Sequence, residues 1–265
     1  MQGYVTNTMM RRASVRRFQA RPVEPALVER LVRFGQQAPF TGQMYSFLAT
    51  VDETKRERLT DVFGTLVQRA PVFMLVLVDF NKLDKFIAYR SRANRVDDLS
   101  LLFLGIQDAS YAAENLVLAA EEAGLGTCFL GAAPFVAREL VEIFKLPRRV
   151  YPLVGLVLGY PEERPAARPR IPVEHCLFWD EYHELGEKEV AEAMEVMDAS
   201  LIREGYYAKY NAKIPVEGTE DRVTLDEYGW SEHVSRKYGE RSRDDSQLVQ
   251  MLREQGINLD GGCKT

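Results

Sequence analysis

Hydrophobic positions along this chain fall into two kinds of block: short continuous runs, and longer stretches with helical spacing. Residues 72–79 (VFMLVLVD) are almost continuously apolar and follow Pro71, which predicts a strand buried on both faces. Residues 151–158 (YPLVGLVL) predict a second buried strand, because this run ends at a Gly-Tyr-Pro turn signal. Shorter strands are predicted for residues 46–52 and 127–131.

Between these runs, apolar residues recur with the period of an α-helix. Leu27, Leu31 and Phe34 share one face of a predicted helix that opens at Pro25, since proline is favoured in the first helical turn. Residues 106–123 (IQDASYAAENLVLAAEEA) predict a long helix, and its many small residues indicate a buried, closely packed position. Further helices are predicted for residues 53–69, 135–145, 187–204 and 247–255.

About four strands interleaved with helices favour an α+β or three-layer α/β fold. A chain of 265 residues suits one large domain, or a domain with an extension. Residues beyond 185 contain too few apolar residues for a second core, and residues 206–242 are polar and irregular, with Trp230 as their one large anchor. We therefore predict a core over residues 1–185 and a C-terminal extension over residues 186–265.

The overall composition argues against several classes of protein. The net charge is −5, so nothing global indicates binding to nucleic acid. The longest apolar runs fall far short of the ~20 residues of a membrane-spanning helix, so no membrane partner is expected. Three cysteines, far apart, argue against a disulfide framework or a cysteine-based zinc site and favour a reducing compartment such as the cytoplasm. They are Cys128, Cys176 and Cys263.

Arginines are concentrated near the N-terminus, where the first 23 residues contain no acidic residue. In an extended segment, alternation places Arg12, Ser14 and Arg16 on one side. Two guanidinium groups beside a hydroxyl are suited to clamp a phosphate. The same residues are also compatible with a basic solvated tail, an organelle transit peptide, a kinase site (RRASV) or a nucleic-acid contact.

A second pair of arginines belongs to the sequence RPRIP, whose prolines favour an extended segment. The side chains of Arg168 and Arg170 can then project together, and their natural partner is a phosphate or a carboxylate. An ordinary surface loop is the alternative interpretation of this segment.

The segment after the long predicted helix contains several small residues. Gly124 and Gly126 follow a helix and precede a strand, which is the reverse of their order in a dinucleotide-binding fingerprint. At the end of that strand, small Gly131 and Ala132 allow backbone N–H groups to approach a flat ligand. The apolar wall beside them is predicted to consist of Phe129 and Leu130.

The loop after the first predicted helix contains Pro39, Thr41 and Gln43. The two polar side chains can contact the polar edge of a heterocycle, although the loop taken alone is an ordinary turn. The three histidines lack metal-ligand spacing and no nucleophile motif is present, so we predict neither a metal site nor a catalytic side chain. The histidines are His175, His183 and His233.

In combination and in this order, these segments resemble the nitroreductase and flavin reductase family. The similarity covers about residues 9–185, and its strongest parts are R-x-S-x-R and AAENLVLAAEEAGLGTCFLG, which looks like the family's central helix and strand. The sequences YPLVGLVLGYP and RPRIP, with WSEH at residues 230–233, are similar to the subgroup of large, NADPH-preferring, oxygen-insensitive nitroreductases.

This resemblance implies a three-layer α/β/α fold with a mostly antiparallel sheet of four to five strands. It also implies an intertwined homodimer with FMN at the interface. The core would then be an FMN-binding nitroreductase core, and the extension would contain a helix, a mobile lid and a dimer-embracing arm. The implied activity is that of a cytoplasmic FMN-dependent NAD(P)H oxidoreductase, with NADPH favoured. It transfers electrons in ping-pong fashion to nitroaromatics, quinones or flavins.

The resemblance also implies roles for particular residues. The FMN phosphate and ribityl chain would be held by Arg12, Ser14, Arg16, Arg168 and Arg170. The pyrimidine edge would be approached by Pro39, Thr41 and Gln43 of the partner subunit. Backbone donors near flavin O4 and N5 would come from Gly131 and Ala132, beside Phe129 and Leu130.

The chain departs from the family pattern in two places. Many relatives have Gln or Asn just before the second buried strand, where this chain reads Phe-Gly-Thr-Leu at residues 63–66. The C-terminal segment lacks the arginine that would match the subgroup's NADPH contact. The substitutes are Lys209, Lys213 and Arg222. These departures leave two alternatives open: a specialised flavoenzyme of the reductive dehalogenase or flavin-cleaving type, and a non-catalytic flavin-binding protein.

Overall fold

The computed structural model describes residues 3–216, 218, 220–240 and 246–260, so Cys263 lies outside the described residues. The chain forms two compact units. The first spans Met1–Ala166 and Asp245–Thr265, and the second spans Ala167–Asp244. This contact-based boundary lies in the Pro- and Arg-rich loop rather than at residue 185, and the last helix belongs to the first unit. The predicted division by role, into a flavin-binding core and an extension, stays a prediction.

The first unit is built on a sheet of four strands in the order β1-β2-β4-β3, with every neighbouring pair antiparallel. The strands are β1 (Tyr45–Thr50), β2 (Val72–Asp79), β3 (Gly126–Leu130) and β4 (Val150–Gly159). All eight residues of β2 are buried, as expected for a continuous apolar run at the centre of a sheet.

Helices cover both faces of this sheet. They are α1 (Tyr4–Arg11), α2 (Pro25–Gly35), α3 (Glu53–Phe63), α4 (Thr65–Arg69), α5 (Phe80–Tyr89), α6 (Asp98–Glu122) and α7 (Ala137–Phe144). The first unit also contains the last helix, α11 (Ser246–Glu254). Helices α8 to α10 belong to the second unit and are described below. Because alternate residues of a strand face opposite sides, Phe73 and Leu75 pack with α3, α4 and α7, whereas Met74 packs with α2 and α6. The predicted three-layer α+β fold is confirmed.

Several predicted elements have different bounds in the structure. The helix predicted over residues 53–69 is two helices, because Gly64 between them adopts a φ of 80°, in the left-handed region. The central helix α6 begins at Asp98 and not at residue 106, since the Asp97 carboxylate caps it by accepting the N–H of Ser100 at 2.8 Å. The helix predicted over residues 135–145 begins as a 3₁₀ turn (Ala133–Val136) before α7.

Arg149 joins four parts of the first unit. Its Nε donates to Asp84 at 2.7 Å, and its Nη1 donates to Asp98 at 2.7 Å and to the carbonyl of Gly256 at 2.9 Å. Asp98 in turn accepts the N–H of Asn258 at 2.9 Å. These bonds connect α5, the start of α6 and the residues just after α11, and they explain why Gly256 and Asn258 belong to the first unit.

The second unit has a small core of its own. Its helices are α8 (Glu187–Arg203), α9 (Tyr206–Lys209) and α10 (Trp230–Ser235), followed by a π-helical turn (Arg236–Glu240). Leu201, Tyr207 and Tyr228 are buried together. Arg236 is also buried and forms two hydrogen bonds with Asp221, at 2.8 and 2.9 Å. The segment predicted as polar and irregular is therefore organised by aromatic packing and a buried ion pair.

None of the described helices is both long and apolar enough to cross a membrane. Within the described part of the chain, no group of three or more His, Cys, Asp or Glu side chains is arranged to hold a metal ion.

Candidate functional site

The R-x-S-x-R segment that follows α1 is extended, and its side chains alternate as the sequence predicts. Ala13 and Val15 are buried in the first unit, whereas Arg12, Ser14 and Arg16 remain partly exposed. The two guanidinium groups and the hydroxyl therefore belong to the accessible side of one short segment. We call these three residues the basic clamp.

The clamp is held against strand β3 by close backbone contact. The N–H of Val15 donates to the carbonyl of Thr127 at 2.9 Å, and Ser14 forms a parallel bridge with Thr127. A Cβ atom on Gly126 would lie 2.6 Å from Val15 Cγ2, so this approach requires glycine at that position. On the opposite flank, the Glu163 carboxylate accepts the N–H of Arg16 at 3.1 Å.

Acidic and polar side chains surround the clamp. Arg12 Nε lies 3.8 Å from Glu114 Oε1 on α6. Glu121 lies about two turns further along that helix. Burial raises the pKa of its carboxyl group, although Arg12 and a hydrogen bond from Thr127 favour its ionised form. Burial likewise raises the pKa of the Cys128 thiol, against opposing effects of Arg16 and Ser14. An anion bound at the clamp would compete with Glu114 for Arg12. Because that ion pair is long and partly exposed, giving it up costs little free energy.

The end of β3 provides open backbone. Gly131 and Ala132 form an exposed turn, and a Cβ atom on Gly131 would have no neighbour within 4 Å. Phe129 and Leu130 are both half-buried, but they pack in different clusters on opposite faces of the sheet. A ligand on one face of the sheet can therefore contact the side chain of Phe129 or that of Leu130, but not both.

The loop after α2 is fixed by an acidic residue that sequence reasoning missed. Asp108 is buried on α6, and its carboxylate accepts the backbone N–H groups of Thr41 at 2.6 Å, Gly42 at 2.9 Å and Met44 at 3.1 Å. Gln43 is half-buried and has a φ of 49°, while Pro39 and Thr41 are exposed. The available signal was an acidic residue on the side of α6 where the small residues Gly105 and Ala112 lie three and four positions away.

One protomer does not place the loop and the clamp side by side. The loop is attached to α6 at Asp108, and the clamp lies beside Glu114 and Glu121 on the same helix. At 1.5 Å of rise per residue, these positions are separated by roughly 9 to 20 Å along the helix axis. The loop and the clamp are thus two distinct groups of candidate residues on one chain.

The second arginine pair lies in the second unit. The Arg168 guanidinium donates to Glu204 at 3.0 Å and stacks 3.8 Å above the ring of Tyr206. Arg170 is exposed, and its Nη1 donates to the carbonyls of Arg168 and Pro169, at 3.1 and 2.9 Å. The two arginines therefore have different environments, with an acidic partner for Arg168 and backbone carbonyls for Arg170.

The three cations proposed for the C-terminal segment also differ. Lys213 forms an ion pair with Asp221 at 2.8 Å and donates to the carbonyl of Val223. Lys209 and Arg222 are exposed, and the Lys209 ammonium lies 5.2 Å from the centre of the Tyr210 ring. Lys213 thus has a structural partner within its own unit.

Comparison with known proteins gives consistent results. The sequence model described as Nitroreductase family matches residues 9–160. The chain is 29% identical over 266 residues to an NADPH-dependent oxidoreductase of Staphylococcus aureus, covering 97% of this chain and 99% of that protein. The structure of the hypothetical oxidoreductase YcnD from Bacillus subtilis is similar, with a TM-score of 0.83, 26% identity and coverage of 98% and 100% of the two chains. The NADPH:FMN oxidoreductase from Vibrio harveyi, solved with NAD⁺, shares the fold with a TM-score of 0.78 at 22% identity, over 96% and 98% of the chains.

Proposed function

The chain belongs to the nitroreductase family, and we propose that it is an FMN-dependent NAD(P)H oxidoreductase that reduces nitroaromatics, quinones or flavins. The main support for this proposal is the basic clamp, which packs against β3. The strand ends at the exposed turn of Gly131 and Ala132. Similarity over nearly the full length to a relative named an NADPH-dependent oxidoreductase supports NADPH as the electron donor.

The residues present fit FMN chemically. A phosphate is matched by forked guanidinium donors and a hydroxyl on one side of an extended segment. The flat ring system is matched by the exposed turn at Gly131 and Ala132, where a Cβ atom on residue 131 would have no neighbour within 4 Å. The residues proposed to hold FMN are Arg12, Ser14, Arg16, Pro39, Thr41, Gln43, Phe129 or Leu130, Gly131, Ala132, Arg168 and Arg170.

When bound, FMN supplies the electron-transfer chemistry between NAD(P)H and the acceptor. The chain's own groups would bind and orient it: the clamp would neutralise the phosphate, and the backbone N–H groups of residues 131 and 132 would face the ring. Donors fixed before the reaction stabilise developing negative charge at little reorganisation cost. No side chain of this proposal has to accept a proton from the substrate.

Steady-state kinetics test the proposed activity. The purified protein should oxidise NADPH in the presence of a quinone or a nitroaromatic. Because donor and acceptor use one site in turn, double-reciprocal plots at several acceptor concentrations should be parallel. Failure to oxidise either NADPH or NADH with any of the three acceptor classes would contradict the proposal.

We further propose that the protein is a homodimer. Helices α1 and α6 pack beside each other and expose large apolar side chains, including Met10 at 78% and Phe103 at 63% exposure. Large apolar side chains exposed on neighbouring helices are typical of an interface. The exposed apolar residues of the two helices are Tyr4, Val5, Met9, Met10, Leu99, Phe103, Ile106 and Tyr111. The separation of loop and clamp in one protomer supports a site that two chains complete.

Dilution tests the dimer. Sedimentation at micromolar concentration should show a dimer, and dilution to nanomolar concentration should release FMN as the chains separate. A folded monomer that retains FMN at nanomolar concentration would contradict a shared site.

We also propose a cytoplasmic location, which the free thiols of Cys128 and Cys176 support. Imaging of a tagged protein in its own cell checks this location.

The C-terminal segment is proposed to hold the 2′-phosphate of NADPH. The candidates are Lys209, Lys213 and Arg222, and a phosphate bound at Lys213 would have to compete with the carboxylate of Asp221. Replacing the responsible residue by alanine should raise the KM for NADPH about tenfold, or roughly 1.4 kcal/mol, without changing the KM for NADH. Lys213→Ala should also lower the melting temperature. An unchanged NADPH-to-NADH preference in all three variants would remove this segment from NADPH binding.

A further inference from the structure

The carboxylate of Asp108 determines the conformation of the loop after α2. It is 1% exposed, and its hydrogen bonds reach the residues on both sides of Gln43. A buried carboxylate without donors, or a buried N–H without an acceptor, costs free energy. The three N–H groups and the carboxylate therefore fix one another's positions. A loop of this kind has its shape set by a residue 67 positions away in the sequence.

Gln43 is the residue that this arrangement holds in an uncommon backbone conformation. Its φ of 49° lies in the left-handed region, which residues other than glycine seldom adopt. Asp108 binds the N–H of Gly42 before it and the N–H of Met44 after it. The direction in which Gln43 leaves the loop is therefore set by the buried carboxylate, and not by a preference of Gln43 itself.

We propose that Asp108 is a positioning residue for the flavin ring: it preforms residues 41–44 so that Thr41 and Gln43 meet the polar edge of the heterocycle. The proposal rests on the proposed function, because it takes this loop as part of the FMN site. Asp108 itself is covered by the loop and acts only through it.

Asp108→Asn tests this role with minimal change in size. An amide has one acceptor oxygen, so its NH₂ group would face at least one of the loop N–H groups. Dissociation constants of the apoprotein for FMN and riboflavin, measured by quenching of flavin fluorescence, should both rise about tenfold and by the same factor. Equal loss is expected because the loop acts on the ring, which the two flavins share. Unchanged constants, or a loss confined to FMN, would overturn the proposal.

Asp98→Asn is the matched control. It removes another buried acid of α6, 3% exposed, which accepts hydrogen bonds from Arg149 and Asn258 at the start of that helix. This variant should melt at a lower temperature and still bind both flavins with unchanged dissociation constants. A purely structural role for Asp108 predicts the same behaviour for Asp108→Asn, so the two variants separate positioning from stability.

Hydrogen exchange on the unmodified protein gives a test that does not depend on any variant folding. In the apoprotein, the amides of Thr41, Gly42 and Met44 should exchange slowly, because Asp108 accepts all three before flavin binds. Protection that arises only after FMN is added would overturn preformation by Asp108. If these amides were protected in a protein that binds no flavin, the proposed function would be wrong. The conclusion that Asp108 fixes the loop would still hold.

Discussion

A variant with both Arg16→Ala and Arg170→Ala should bind FMN about two to four orders of magnitude more weakly and should bind riboflavin almost normally. Each charge-assisted hydrogen bond to a phosphate contributes about 1.5–3 kcal/mol, and riboflavin has no phosphate. Arg16 is on the accessible side of the clamp, and Arg170 is exposed with its Nη1 on backbone carbonyls. Titration of the apoprotein with each flavin, followed by fluorescence, measures the difference.

The matched control removes the same amount of charge elsewhere. Arg33 and Arg58 are exposed on α2 and α3 and are not part of the proposed site. Arg33→Ala with Arg58→Ala should leave the FMN-to-riboflavin ratio of dissociation constants unchanged. If the double variant at the clamp lost both flavins equally, the phosphate assignment of these arginines would be wrong.

Arg149→Met should lower the stability of the protein by about 3–5 kcal/mol, the usual cost of leaving a buried charge without its partner. Asp98 is 3% exposed and would lose its bond from Arg149, and the carbonyl of Gly256 would lose the hydrogen bond that the Arg149 guanidinium donates. For a chain of this size, the melting temperature should fall by about 10 °C. Calorimetry or thermal denaturation followed by circular dichroism measures the shift.

Two further variants show whether buried charge is the cause. Adding Asp98→Asn to Arg149→Met removes the stranded carboxylate and should recover part of the loss. Arg138→Met breaks an exposed pair with Glu254, at 2.8 Å, and should leave the melting temperature nearly unchanged. If the double variant were as unstable as the sum of the two single variants, the pairing of Arg149 with Asp98 would not explain the loss.

Local sequence patterns were sufficient for parts of this fold. β2 has the predicted bounds because a strand buried on both faces is apolar at every position. The alternation of Arg12 and Ser14 with buried Ala13 follows from strand geometry alone. Helix α5 was not predicted, because Asp79 reads as the end of a strand, whereas its carboxylate also caps the helix by accepting the N–H of Lys82.

The parts of the candidate site that sequence could not predict depend on long-range contacts. Asp108 looks like an isolated acid until the fold brings it to the loop at residues 41–44. The pairing of Arg168 with Glu204 depends in the same way on how the second unit folds. The alternation of the R-x-S-x-R motif is local and predictable, whereas the groups that hold or compete with its charges are not.

Identification of the flavin released from the purified protein tests the central claim most directly. The protein should be yellow, and heat denaturation followed by chromatography of the supernatant should recover about one FMN per chain. FMN, and not riboflavin or FAD, is expected because a terminal phosphate is what two arginines and a serine on one accessible side are suited to bind. A colourless protein that does not take up added FMN would contradict the account.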